Sequence, residues 1–264
     1  MLTPPCTQQA RDGGVSLLKH TWSLTMLTHS FEDLTQTFRV LIESNFKLNQ
    51  LLDVDRPEAV GTVETAINAK LNAFHNLYDL MAQDLGKPVD WYSVPELCII
   101  LAIRNARHHN KANRIRSIWN FHNQKCTTPT DTKQYLYVDF PSPPEEEGGD
   151  CFDIPLSWAD LDELLSMPRS ESHLRASARD LIRNYLNADL FEAKALELGL
   201  SKEAIFFNFV PLSLNAGITL HPYIKDHVKP DSVESKFFLQ HFGNTGAAIT
   251  TAPEFEKIEF TLPM

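Results

Sequence analysis

The sequence predicts a mainly α protein, with an N-terminal helical bundle over residues 12–126 followed by a smaller mixed α+β region over residues 132–264. Three observations carry that expectation. From Val15 to Leu80 the apolar residues recur at intervals of three and four, the period of a helix with one buried face. A wholly apolar run, Leu97 to Ile103, follows a helix-start signal. Beyond Lys125 the chain turns to alternating patterns and to connections rich in Pro, Gly and acid, which mark strands and loops.

In chain order, Leu17, Leu24, Leu27, Phe31, Leu34, Phe38, Leu41, Leu48 and Leu51 predict one amphipathic helix, or a pair, between Val15 and Leu52. Arg56-Pro57-Glu58 opens the next, in which Val60, Val63, Ile67, Leu71, Phe74 and Leu77 form one stripe and Gly86-Lys87-Pro88 is the stop. Ser93-Val94-Pro95-Glu96 has the form of a capping box with proline in the first turn, so a helix is expected from Ser93. Its body, "LCIILAI", is apolar on every face, which predicts burial all round. A further helix is expected from Asn113 to about Asn123.

After the turn-rich "CTTPTDT", "KQYLYVDF" reads as a half-buried strand and "PSPPEEEGGD" as an exposed loop. Ser157-Trp158-Ala159-Asp160 is a second capping-box pattern. Leu174 to Leu200 predicts one or two helices ending at Gly199. "AIFFNFVPLSLNAGITL" and "KIEFTLP" predict strands. No internal repeat is present.

The apolar run at 97–103 is far shorter than the roughly 20 residues that cross a bilayer. The opening "MLTPPCTQQARDGG" has neither the basic start nor the apolar stretch of a signal peptide. No membrane association and a cytoplasmic location are therefore expected. Cys6, Cys98, Cys126 and Cys151 form no C-x-x-C pair, and free thiols are the expectation. The motifs of P-loop, dinucleotide-binding, zinc-protease and nucleophile-elbow enzymes are all missing.

The formal charge of −10 argues against a protein that coats nucleic acid. The average conceals an island. Residues 97–130 contain no Asp or Glu, but carry Arg104, Arg107, Lys111, Arg114, Arg116 and Lys125 together with His108, His109 and His122. Such an island in an acidic chain points to a local anion site. His75 and His122, each among apolar neighbours, read as satisfied core histidines.

Within the island, Arg104-Asn105-x-x-x-His109 resembles the R-x(4–6)-H signature of the HEPN superfamily, in which a small polar residue commonly follows the arginine. The resemblance covers roughly residues 15–125. It implies a bundle of four or five helices with the motif on a late helix. It also implies a metal-independent endoribonuclease that needs no cofactor, with a toxin or antiviral defence role, a homodimer paired through the motif helix, and a neutralising or regulatory protein partner.

The residue types suit that chemistry. Imidazole titrates near neutrality and can act as acid or base, while guanidinium offers paired donors to phosphate oxygens. Arg104 is the expected phosphate clamp, Asn105 its positioner and His109 the proton-transfer residue. Arg107, His108, Lys111, Arg114 and Arg116 are the expected RNA backbone contacts. Helix geometry leaves the histidine open: His108 shares a face with Arg104, whereas His109 is turned about 140° away. The alternative reading is a noncatalytic helical module that binds RNA or protein through the island at 104–125.

Overall fold

A computed structural model of the chain describes residues 12–109, 115–125, 131–143 and 152–262. Ten α-helices and a small four-stranded mixed sheet account for the described residues. The molecule is mainly α, with the helical region N-terminal and the sheet toward the C-terminus.

The first two helices, α1 (Asp12–Leu51) and α2 (Arg56–Asp84), form a long hairpin. The periodicity explains the pairing: Leu27, Phe31, Leu34, Phe38, Leu41 and Leu48 of α1 are buried, as are Val60, Val63, Ile67, Leu71, Phe74 and Leu77 of α2. Asp55 caps α2 by accepting from the Glu58 amide at 3.0 Å, and Pro57 sits in the first turn where its missing N–H is harmless. Gly86, at φ +70°, ends the hairpin.

Helix α3 (Pro95–His109) is the central rod. Every residue from Leu97 to Ile103 is essentially inaccessible, because α3 is enclosed by α2, α5 (Trp158–Ser166), α7 (Ala178–Leu186) and α9 (Phe209–Ile224). Burial all round is what an unbroken apolar stretch requires. Residues 97–103 are thus covered by their own chain. The start is corrected: Ser93 does not cap α3, its hydroxyl donating instead to the Asp90 carbonyl at 2.8 Å, and the helix begins at Pro95.

Helix α4 (Ile118–Lys125) begins later than expected from Asn113. Ile115 has φ +47°, a conformation that a β-branched residue seldom adopts, and Ser117 bridges to Leu156.

The sheet runs β2 (Pro155–Ser157), β3 (Ile205–Asn208), β1 (Lys133–Asp139), β4 (Glu254–Phe260). Strand β1 pairs parallel with β3, with Tyr137 opposite Phe206, and antiparallel with β4, with Leu136 opposite Lys257. The wholly buried β3 reads as a continuous apolar run, whereas the edge strand β4 carries Glu254, Glu256, Lys257 and Glu259, charges that discourage further strand pairing.

The expected strand over "AIFFNFVPLSLNAGITL" ends at Asn208, and α9 follows immediately. Asn208 is the switch, its Oδ1 accepting from the Val210 amide at 3.1 Å. Gly217 on α9 lets Phe242 of α10 (Val233–Asn244) approach so closely that a Cβ would collide with its ring. Between the sheet strands, the short α6 (Arg169–Ser172) precedes α7 and α8 (Ala188–Glu197), the two helices that fill the region expected from Leu174 to Gly199, which stands at φ +70°. One hydrophobic core runs from Leu27 to Leu262, crossing the connection between α4 and β1 through the contacts of α3 with α7 and α9. Among the described residues no helix is long and apolar enough to cross a membrane.

Candidate functional site

Where the apolar rod ends, α3 emerges beside α2 and its side chains become polar. Arg104 and His108, one turn apart on α3, line a cleft of about 190 Å³ together with Arg107 of α3 and Asn68, Leu71 and Asn72 of α2. The i, i+4 spacing brings guanidinium and imidazole to one face. Arg104 is half-buried, its Nε makes no hydrogen bond, and its Nη1 lies 3.5 Å from Asn105 Oδ1. Asn105 is buried behind it. His108 is exposed. His109 closes α3, and its side chain lies outside the described residues, as do Lys111 and Arg114.

The other described cations of the island are engaged by partners within the chain. Arg107 has only 5% of its side chain exposed. It donates to Glu64 Oε2 at 2.8 Å, to Asn68 Oδ1 at 3.2 Å and to the Ile115 carbonyl at 2.7 Å. Arg116 grips Asp160 with Nε at 2.9 Å and Nη2 at 2.7 Å, and its guanidinium stacks 4.5 Å from the Phe121 ring. Both arginines are nearly inaccessible and bound to carboxylates of the chain. Lys125 is exposed and 3.7 Å from Glu203.

On α2, Asn68, Asn72, His75 and Asp79 recur at four, three and four residues, a polar stripe along the flank that meets α3. His75 is therefore not the core histidine that its apolar neighbours suggest: 24% of its side chain is exposed and its Nδ1 lies 3.2 Å from Asp79 Oδ2. Burial holds the His75 pKa below its ordinary 6.5, and the Arg104 guanidinium pushes the same way, with Asp79 opposing and His108 adding a smaller lowering. Those last influences place His75 within electrostatic reach of both α3 side chains. The stripe could have been found in the sequence by its helical spacing. His122 does behave as expected: it is buried, with Nδ1 3.0 Å from the Tyr135 hydroxyl and Nε2 3.1 Å from the Asp131 carbonyl.

The cleft offers a fixed cation, two amides and the His108 imidazole, with His75 further along the same α2 stripe, a set that suits a phosphodiester: charge for the phosphate, neutral donors for its oxygens and titratable nitrogens for the proton steps. Among the described residues no three His, Cys, Asp or Glu side chains converge as a metal-binding group. In comparisons with known proteins, no family model matches the chain, nor does any curated protein or solved structure.

Proposed function

We propose that this chain is a metal-independent endoribonuclease of the HEPN kind, cleaving RNA by attack of the 2′-hydroxyl on the adjacent phosphate. The observation that carries the reading is that Arg104 and His108 line one cleft at the wet end of a buried rod. A guanidinium there steadies the charge that grows on phosphorus, and an imidazole moves a proton at neutral pH. Asn105, against Arg104, is the positioning residue. His108 is favoured by the cleft and His109 by the motif spacing, so both are substituted in the test.

The test is incubation of the purified chain with single-stranded RNA in EDTA. Products ending in 2′,3′-cyclic phosphate, lost in Arg104→Ala and when the scissile nucleotide is 2′-deoxy, support the reading; intact RNA under these conditions overturns it. Loss of cleavage in His108→Ala but not His109→Ala, or the reverse, assigns the histidine. A toxin or defence role with a neutralising partner belongs to the resemblance, and growth arrest on expression, relieved by Arg104→Ala, is its test.

A further inference from the structure

Cleavage by 2′-hydroxyl attack needs two proton movements, one off the nucleophile and one onto the leaving oxygen. A single imidazole can serve both only in turn. The α2 flank supplies a second one. Asn72 lines the cleft with Arg104 and His108; His75 and Asp79 follow it on the same helical stripe of α2, outside that lining but with His75 in electrostatic reach of both α3 side chains, and the Asp79 carboxylate lies 3.2 Å from His75 Nδ1. A carboxylate at Nδ1 accepts that nitrogen's proton in a hydrogen bond. The lone pair is thereby fixed on Nε2, the nitrogen left for a substrate. The pair is also partly sheltered, and Asp79 is itself well exposed, so solvent can recharge it between turnovers.

We infer that His75 is the general base of this site, held in its tautomer by Asp79, and that the α3 histidine acts as the general acid. This rests on the ribonuclease reading above. In the step, His75 Nε2 takes the proton from the 2′-hydroxyl as that oxygen bonds to phosphorus. The bond from phosphorus to the 5′-oxygen breaks, and the leaving oxygen takes a proton from the imidazolium on α3. The products are a 2′,3′-cyclic phosphate and a 5′-hydroxyl. Solvent then restores both histidines. Arg104 balances the phosphate throughout and neither gains nor loses a proton.

The electrostatics agree with the assignment. The charged and titratable groups facing His75 are Asp79 and, through its ring, Tyr78 on α2, with Arg104 and His108 across from it on α3. Burial and Arg104 together keep the imidazole neutral at physiological pH, the form a base requires.

The test compares pH–rate profiles of RNA cleavage in EDTA for the wild-type chain and for His75→Gln, Asp79→Asn and His108→Ala, each with its melting temperature measured. His75→Gln should cost about a hundredfold or more at neutral pH and abolish the ascending acid limb, which in the wild type lies below pH 6.5. Asp79→Asn removes the carboxylate that favours His75 protonation. It should move that limb to lower pH, an effect that a merely structural role would not produce. A substrate with sulfur in place of the bridging 5′-oxygen needs no proton on its leaving group. It should rescue the variant that lacks the acid on α3 and leave His75→Gln impaired.

An unchanged rate and limb in His75→Gln, with Arg104→Ala inactive, overturns the inference and leaves the ribonuclease reading standing. Rescue of His75→Gln by the sulfur substrate also overturns it, by reversing the roles. A wild-type chain that cleaves nothing removes both.

Discussion

Arg107 donates from Nη1 to Glu64 Oε2 at 2.8 Å, joining the last turns of α3 to α2. Its Nη2 donates to the Ile115 carbonyl at 2.7 Å, while Ser117 donates its hydroxyl to the other oxygen of Glu64. One carboxylate and one guanidinium therefore fasten both the exit of the chain from α3 and its return. The unfavourable φ of Ile115 is tolerated there because its side chain is buried and its carbonyl is held.

Glu64→Ala should then cost more than the loss of a surface pair. It strands a nearly inaccessible guanidinium and a buried hydroxyl, and the expected loss is about 3 kcal/mol. Urea unfolding monitored by far-UV circular dichroism checks it, and a loss near zero would show that the clasp is not under tension from its surroundings.

The same engagement separates structural from contacting arginines. Each cation that touches a phosphate adds roughly 0.7 to the slope of log affinity against log salt for single-stranded nucleic acid. Retention of a 2′-deoxy oligonucleotide should lose about that much slope in Arg104→Gln, since Arg104 faces the cleft with no ion pair among the described residues, whereas Arg107 beside it is bound to Glu64. Arg107→Gln and Arg116→Gln should lower the melting temperature and leave the slope unchanged. Equal slopes for all three would contradict the division.

Much of this architecture was legible in the sequence, and the reasons for the misses are physical. The α1–α2 hairpin and the buried rod follow from apolar spacing alone, because each helix has one environment per face. Helix α9 did not, since Phe, Val, Leu and Ile on every side of a buried segment look alike in helix and strand; its cap, Asn208, was the discriminating residue. Arg107 and Arg116 looked like surface cations because their partners, Glu64 and Asp160, are 43 and 44 residues away in the chain. His75 was misread for the opposite reason. Its neighbours Phe74 and Leu77 are buried, but its own position on the helix turns toward the flank shared with Asn72 and Asp79.

The Arg116–Asp160 pair gives a sharper energetic test. Asp160 is 3% exposed and accepts from the Arg116 backbone amide as well as from its side chain. Asp160→Asn should destabilise by about 3–5 kcal/mol, because it leaves a buried guanidinium without a counter-charge. Combining Asp160→Leu with Arg116→Met removes the stranded charge, so the double variant should recover much of that loss, though not the part owed to the orphaned amide. A double-mutant cycle that proved strictly additive would show that the two side chains do not interact.

Lys70 on α2 is the most unusual group in the core. It is completely inaccessible, its Nζ sits over the Phe38 ring and 5.7 Å from the centre of Phe74, and among the described residues it has no hydrogen-bond partner. Burial drives its pKa well below the ordinary lysine value of 10.5. Between its lowered value in the folded chain and its ordinary value in the unfolded one, folding releases a proton. Stability rises with pH while the unfolded lysine is protonated and the folded one is not, and this gain ends above about pH 10.5. Lys70→Met keeps the volume and removes the titration, so it should stabilise the protein at pH 7 by at least about 1 kcal/mol. That advantage should shrink as pH rises toward 10.5, as measured by urea midpoints at constant ionic strength. An advantage that stayed constant with pH would mean that Lys70 keeps its proton in the folded state and that the Phe38 ring, with no carboxylate nearby, suffices to hold an ammonium.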